Sequence, residues 1–132
     1  MEQTQETDAA NHEDQPALPA VNEVTVVGRL ANTPRLNTFG DDKTRAQFIV
    51  AVPRPARGGQ AKRGHDYLAV AAWRAVAKQC ETLGKGDGVR VQGRMRTWQD
   101  ETRRFHWEIE VDTLEVLAQR AAQSPRQEQL GV

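Results

Sequence analysis

The sequence predicts a single small all-β domain of five strands and one short helix. Three observations carry this prediction. Residues 21–117 contain five segments in which β-branched residues dominate or apolar and polar residues alternate, as in half-buried strands. One stretch between the third and fourth segments has helical spacing instead. Gly28 and Gly93 lie in the middle of the first and fourth segments, where a tightly coiled strand can bend.

The strands are predicted in order along the chain. They cover residues 24–30, 46–52, 67–73, 89–98 and 104–112. Residues 31–44 are rich in turn-forming residues and predict a loop. Pro53 and Pro55 end the second strand, because proline cannot donate a hydrogen bond to a ladder. The polar residues 99–102 predict the tip of a hairpin between the last two strands.

The helix is predicted over residues 74–83. Val76, Cys80 and Leu83 are spaced i, i+4 and i+7, which places them on one helical face, and Gly84 suits the C-terminal cap. Five strands with a short helix between the third and the fourth match the oligonucleotide/oligosaccharide-binding (OB) fold, a five-stranded Greek-key barrel.

Two tails flank the predicted domain. Residues 1–20 contain five acidic and no basic residues and too little apolar surface to fold, which predicts a disordered acidic N-terminal tail. Residues 118–132 are rich in alanine and glutamine and predict a disordered C-terminal tail. The OB domain between them, residues 21–117, carries 16 basic and 12 acidic residues and is therefore basic.

Composition excludes several classes of protein. The longest apolar run, Tyr67–Trp73, has seven residues against the ~20 that a transmembrane helix needs, and no signal peptide is visible. We therefore expect no membrane contact and a cytoplasmic, nucleoid-associated protein. The single Cys80 cannot form an internal disulfide, and the three scattered histidines complete no zinc site. The sequence contains no phosphate-binding loop and no nucleophile elbow. We expect no metal, no cofactor and no enzymatic activity, so the function is binding.

The outward face of the third strand carries the first candidate binding residues. Side chains alternate across a strand, so Tyr67, Ala69, Ala71 and Trp73 share one face, with an aromatic ring at each end of a floor of small residues. Such a floor has room for a flat ligand. The alternative is that the two rings cover a second hydrophobic cluster or a subunit contact.

The fourth strand adds charge to this picture. Arg90, Gln92, Arg94, Arg96 and Trp98 form its outward face, and the strand has no acidic residue before the hairpin tip. A guanidinium group can pair with phosphate and stack on a base, which is the combination that a nucleic-acid track needs. The alternative is an ordinary solvated face.

The fifth strand is predicted to face the core with its aromatic residues. Phe105 and Trp107 share a face with Ile109 and Val111, so we interpret both rings as core. The opposite face becomes acidic away from the hairpin tip, which predicts that a binding groove runs near the tip. His106 is interpreted as an ordinary surface histidine.

With these residues laid out, the chain resembles the bacterial single-stranded DNA-binding proteins. The resemblance covers residues 21–117 and rests on four blocks in order: residues 22–30, 48–52, 66–73 and 85–97. It implies that Tyr67, Trp73 and Trp98 stack on bases and that basic residues of two long hairpins follow the phosphates. It also implies a homotetramer in which first strands pair between subunits, and a role in DNA replication, repair or recombination.

The sequence departs from the family pattern in two places. The family commonly has a further stacking aromatic at the end of the second strand, where this chain has residues 53–56, Pro-Arg-Pro-Ala. Replication-type members end in an acidic tail closing on Asp-Ile-Pro-Phe, which recruits repair and replication enzymes, whereas this chain ends in residues 127–132, Gln-Glu-Gln-Leu-Gly-Val. The chain therefore resembles a secondary, tail-less member, without the basis for that recruitment.

The predicted function is sequence-independent binding and protection of single-stranded DNA. The stacking residues are those just named, and the predicted phosphate-binding residues are Arg54, Arg57, Lys62, Arg63, Arg90, Arg94, Arg96, Arg103 and Arg104. The main alternative is an OB-fold protein-interaction module, such as a primosome component. A nuclease is a more distant alternative, since no converging carboxylates can be placed. The acidic N-terminal tail either competes with DNA across the basic groove or only solubilises the chain.

Overall fold

The structure is a computed structural model that describes residues 15–41, 43–56, 58 and 64–120. Its elements are β1 (Val24–Leu30), β2 (Arg35–Thr38), β3 (Thr44–Pro53), β4 (His65–Trp73), α1 (Arg74–Gln79), a 3₁₀ turn (Cys80–Thr82), β5 (Gly88–Gln99) and β6 (Phe105–Ala118). The five predicted strands are present as β1, β3, β4, β5 and β6. The prediction missed β2.

The short strand β2 lies where the sequence predicted only loop, and that prediction is wrong for Arg35–Thr38. The strand pairs antiparallel with the start of β3, from Arg35 opposite Gln47 to Thr38 opposite Thr44. Leu36 is its single apolar residue, so no alternation marked it in the sequence. The hairpin it forms carries Phe39 at its turn, where the Phe39 amide donates to the Lys43 carbonyl at 2.9 Å.

The strands form one sheet that closes on itself. The strand order is β1-β5-β6-β4-β3-β2, and β1 also pairs with β3 through Arg29 and Leu30. A short parallel contact between Val70 of β4 and Ile109 of β6 joins the two halves. This is the predicted OB barrel, with β2 added at its edge and α1 following β4.

Two mid-strand glycines allow the sheet to close, as the sequence predicted. The β5–β6 register shifts between Gln92 and Gly93, and a Cβ at Gly93 would overlap the carbonyl oxygen of Glu110. Gly28 lies just before β1 passes from its β5 pairing to its β3 pairing, and a Cβ there would overlap the Ala51 carbonyl oxygen. Both positions need the close backbone approach that only glycine permits.

The core lies inside the barrel and beneath α1. Its buried residues come from all the long strands and from the helical segment: Val26, Leu30, Ala46, Phe48, Val50, Val70, Ala72, Ala77, Cys80, Leu83, Val89, Val91, Ile109, Val111 and Leu114. Cys80 and Leu83 are buried and Val76 is half-buried, so the predicted helical face does pack inward. Burial raises the pKa of the Cys80 thiol to about 11. The helix itself is shorter than predicted, because the 3₁₀ turn replaces its last residues.

The folded part continues beyond the predicted C-terminal boundary. Ala118 is the last residue of β6, and Arg120 donates from its backbone and its guanidinium group to the buried carboxylate of Asp87. The predicted tail therefore cannot begin at 118. Its remaining residues, 121–132, and most of the predicted N-terminal tail, residues 1–14, lie outside the described residues, while residues 15–20 are exposed. No helix in the described part is long and apolar enough to span a membrane.

Candidate nucleic-acid interface

The two aromatic side chains of β4 both reach the surface. Tyr67 is 61% exposed and contacts the His65 ring at a centroid distance of 6.1 Å. Trp73, at the other end of the strand, is 36% exposed. The floor between them is less open than the sequence suggested, because Ala71 is fully buried between Gln47 of β3 and Glu110 of β6. The rings of Tyr67 and Trp73 are therefore two separate candidate contacts for a ligand, without a continuous open floor between them.

Trp73 lies in a small cluster that sequence reasoning missed in part. The ring of Phe39, from the turn after β2, lies 6.2 Å from the Trp73 ring, and the side chain is exposed. The guanidinium carbon of Arg45 lies over the indole at 5.6 Å, since Arg45 is the residue opposite Trp73 in the β3–β4 ladder. Neither Phe39 nor Arg45 was predicted, because their placement depends on the unpredicted β2 hairpin and on strand register.

Trp98 is held in a second cluster near the β5–β6 hairpin tip. His106 lies opposite it in the ladder, and the two rings stack with centroids 5.4 Å apart at an interplanar angle of 20°. The guanidinium carbon of Arg96 lies over the same indole at 4.9 Å. The interpretation of His106 as an ordinary surface residue is wrong, since it packs against a candidate stacking residue.

The carboxylate of Asp100 organises the hairpin tip. One oxygen accepts hydrogen bonds from the Thr102 backbone, the Thr102 hydroxyl and the Arg104 backbone at 2.8, 2.7 and 3.1 Å. The other lies 2.7 Å from His106 Nε2. The bond to His106, followed by that to Thr102, holds the pKa of Asp100 well below its ordinary value.

The arginine row of β5 is matched by carboxylates, which contradicts its prediction as an open cationic track. Each arginine pairs with a glutamate on β6: Arg90 with Glu115 at 3.1 Å, Arg94 with Glu110 at 2.8 Å and Arg96 with Glu108 at 3.6 Å. The reason is register, since these residues lie directly opposite each other in the antiparallel ladder. The arginine side chains are still about half exposed, so solvent and ligands can compete for them.

Glu108 differs from the other acidic residues of this face because it is buried. Its side chain is 7% exposed, and both of its oxygens accept from Arg45 Nη2 at 2.9 Å. Arg96 Nη1 lies 3.6 Å from the same carboxylate. One carboxylate therefore joins Arg45, which lies over Trp73, to Arg96, which lies over Trp98.

Phe105 and Trp107 were predicted to lie in the core, and the structure contradicts this. Phe105 is 75% and Trp107 43% exposed. They do share a face with the buried Ile109, as the alternation predicted, but their ladder partners Gln99 and Thr97 are exposed as well. The hairpin extends past the barrel at this point, and the described residues provide no layer that covers its inner face.

The remaining predicted phosphate-binding residues fall into three groups. Arg103 and Arg104 are exposed at the hairpin tip, beside the cluster of Trp98. Arg54 is exposed but pairs with Asp66 at 2.9 Å. Arg57, Lys62 and Arg63 lie outside the described residues.

Two basic residues beside Trp73, and a third on the helix that follows it, were not predicted. Lys43 and Arg74 line a shallow depression beside the indole, together with Arg94, Glu110 and Asp112. Lys78 lies one turn along α1 from Arg74 and is exposed. Arg74 adopts φ 56°, a left-handed conformation that costs a non-glycine residue energy. Lys43, Arg74 and Lys78 form no salt bridge with the described carboxylates.

Exposed rings backed by guanidinium groups on the outside of a small closed barrel are typical of the OB-fold binding proteins. The described residues contain no group of three or more His, Cys, Asp or Glu side chains that could hold a metal ion. The sequence profile of the Single-strand binding protein family matches residues 21–117. The chain belongs to this family.

Several curated relatives are similar over most of the domain. A single-stranded DNA-binding protein of Caldanaerobacter subterraneus subsp. tengcongensis is 33% identical over 94 residues, which are 69% of this chain and 63% of the relative. Proteins of the same name from Thermus aquaticus and Halalkalibacterium halodurans are 34% and 33% identical over 73% and 79% of this chain. The chain spans 38% and 65% of the length of these two relatives, so it corresponds to only part of each.

Proposed function

We propose that this chain binds and protects single-stranded DNA without sequence preference and without catalysis, in replication, repair or recombination. The observation that carries the proposal is the linked pair of indoles, Trp73 and Trp98, each partly exposed and each backed by a guanidinium group. Membership of the family and the printed names of the relatives support the same ligand.

Base stacking supplies the sequence-independent part of the binding energy. Tyr67, Trp73 and Trp98 are the predicted platforms, and the exposed Phe39 adds a fourth beside Trp73. Stacking contributes about 1–3 kcal/mol per base and tolerates any base, because each has a π face.

Phosphate contacts supply the salt-dependent part. Five basic residues are exposed and free of salt bridges to the described carboxylates. They are Lys43 and Arg74 beside Trp73, Lys78 one helical turn from Arg74, and Arg103 and Arg104 at the hairpin tip. Arg90 and Arg94 can also contact phosphate, but only by exchanging a glutamate for it. Neutralising about six phosphates gives a slope of roughly −4 in log K against log salt.

Self-assembly into a homotetramer forms part of the proposal. Among the described residues, β1 pairs with β3 only through Arg29 and Leu30, so the edge of its first residues is unpaired in the single chain. An unpaired edge is a template for pairing with a second copy. Val27, exposed on this strand, would gain burial in such a contact. We also propose a cytoplasmic location, because the chain belongs to a family of DNA-binding proteins.

The first test is quenching of intrinsic tryptophan fluorescence on adding poly(dT), followed by a salt back-titration. Binding by stacked indoles predicts strong quenching that is reversed by salt. Alanine at Trp73 and at Trp98 should weaken binding while the oligomer, measured by light scattering, stays intact. Loss of assembly with binding retained would favour the protein-interaction module, and absence of both quenching and salt dependence would contradict the proposed function.

A further inference from the structure

We propose that Glu108 is a positioning residue, which fixes Trp73 and Trp98 in their binding orientation through Arg45 and Arg96. The inference rests on the proposed function, because it assigns a role within that same binding face. Glu108 is negatively charged, like the phosphates of DNA, and its charge alone would be expected to oppose binding.

The position of Glu108 makes it the centre of the two aromatic clusters. It lies on β6, between β4 and β5 in the sheet. Arg45 reaches it from β3 with a 2.9 Å contact to each carboxylate oxygen, and Arg96 approaches from β5 at 3.6 Å. A buried carboxylate is costly unless it is paired and hydrogen-bonded. The Glu108 carboxylate therefore restricts the movement of Arg45 and Arg96, because moving either one away would leave a buried charge less well paired.

Each partner of Glu108 in turn supports one indole. Arg45 lies opposite Trp73 in the β3–β4 ladder, with its guanidinium carbon 5.6 Å from the ring centroid. Arg96 is two residues before Trp98 on the same face of β5, at 4.9 Å. A planar guanidinium group held at a fixed point provides a cation–π contact that restricts the rotamer of the ring above it.

Holding the rings in advance favours binding because the free protein has already ordered them. Immobilising a mobile side chain on association costs conformational entropy, so indoles that were disordered in the free protein would weaken the binding of each strand. Loss of order at both tryptophans should weaken binding about tenfold.

The charge of Glu108 alone predicts the opposite of weaker binding, so one substitution distinguishes the two explanations. Removing a negative charge from a surface that binds a polyanion should tighten binding or leave it unchanged. Glu108→Gln should instead weaken the binding of oligo(dT) about tenfold. The matched control is Glu115→Gln, which removes the same charge from an exposed pair with Arg90 that contacts no described ring, and should bind as well as the wild type or better.

Two substitutions that conserve charge provide a second test. Glu108→Asp keeps the charge but is too short to hold both guanidinium groups. Arg45→Lys keeps the charge but loses the planar group that lies over Trp73. Both should weaken binding. In the free variants the near-ultraviolet circular dichroism of the tryptophans should be reduced, and saturating oligo(dT) should restore it, with the far-ultraviolet spectrum unchanged throughout.

The outcomes separate the inference from the proposed function. Weaker binding by Glu108→Gln and Glu108→Asp with the recoverable tryptophan signal supports the positioning role. Wild-type or tighter binding by either folded variant overturns it while leaving the proposed function intact. If Glu108→Gln fails to fold, Glu108→Asp and Arg45→Lys decide by the same criteria. If the wild-type chain does not bind oligo(dT), the proposed function itself is refuted.

Discussion

His106 lies stacked on Trp98, with the ring centroids 5.4 Å apart and the ring planes 20° from parallel. The imidazole is in turn fixed by the carboxylate of Asp100, 2.7 Å from its Nε2. The same carboxylate accepts three hydrogen bonds from the turn that joins β5 to β6. The geometry of the hairpin tip and the orientation of Trp98 thus depend on one another.

The Asp100 carboxylate should make the stability of the protein depend on pH in acid. Its pKa is lower in the folded chain than in the unfolded chain, so it stabilises the fold above the unfolded value of ~3.9 and progressively less as the pH falls below it. Wild type should therefore unfold at a higher temperature than Asp100→Asn at neutral pH, and the difference should shrink below pH ~4. Glu101→Gln in the same turn is the control, and a difference that persists unchanged into acid would contradict the prediction.

Replacing Glu110 by glutamine should strengthen binding of single strands at low salt. Glu110 pairs with the half-exposed Arg94 at 2.8 Å and therefore competes with phosphate for that guanidinium group. The pair is partly exposed, so its loss should change affinity by at most about fivefold and stability by less than about 1 kcal/mol. Fluorescence titration with oligo(dT) in low and in physiological salt measures the effect. Weaker binding by the variant would contradict this competition and would show that Glu110 supports the contact of Arg94 with DNA.

Phe39→Ala should weaken binding although the sequence alone gives Phe39 no role. The ring packs 6.2 Å from Trp73 and is exposed, so its removal should cost about 1 kcal/mol of binding free energy or more. Stability should change little because the side chain is not part of the core. Phe39→Leu keeps an apolar side chain without a π face and should bind like the alanine variant. If Phe39→Leu binds like the wild type, the ring does not stack on bases.

Arg74→Gly should separate stability from binding. Arg74 has φ 56°, which glycine adopts without strain, so the variant should be as stable as the wild type or more stable by about 1 kcal/mol. Binding should nevertheless weaken and its salt dependence should become shallower, since a cation beside Trp73 is lost. Thermal unfolding and salt-dependent titrations measure the two effects. Lys78→Ala, from the same group of basic residues, should reproduce the binding change without the gain in stability.

Gly93→Ala should destabilise the barrel. The added Cβ would overlap the Glu110 carbonyl oxygen at the point where the β5–β6 register shifts, and overpacking of this kind costs about 1–3 kcal/mol or more. Gly88→Ala is the matched control on the same strand, because its Cβ would meet the Ala118 Cβ at an ordinary distance of 3.4 Å. Equal unfolding temperatures for the two variants would contradict the role assigned to Gly93.

The alternation of side chains along each strand predicted most of the barrel and part of the binding face. Alternation correctly separated the exposed Tyr67 and Trp73 from the buried Val70 and Ala72. The bend at Gly93 was also predicted, because a mid-strand glycine has few other uses. Both inferences need only the periodicity within a single strand.

The errors arise where a residue's surroundings depend on another strand. Alternation assigned Phe105 to the same face as Ile109 but could not show that the hairpin extends beyond the barrel. The β5 arginine row was predicted as open because its acidic partners, such as Glu110, come from β6 through a register that one strand does not specify. Phe39 was missed for the same reason, since the β2–β3 pairing brings it to Trp73.

The contact between Asp87 and Arg120 determines where this domain can be cut. The match to the family profile ends at Leu117, yet Arg120 satisfies both oxygens of a carboxylate that also caps the Gly84 amide and is almost fully enclosed. Truncation at Leu117 would leave that buried carboxylate without its counter-charge, and we expect it to destabilise the domain. We therefore expect the folding unit to extend at least to Arg120, beyond the match to the family profile, so an affinity tag or fusion partner belongs after this residue.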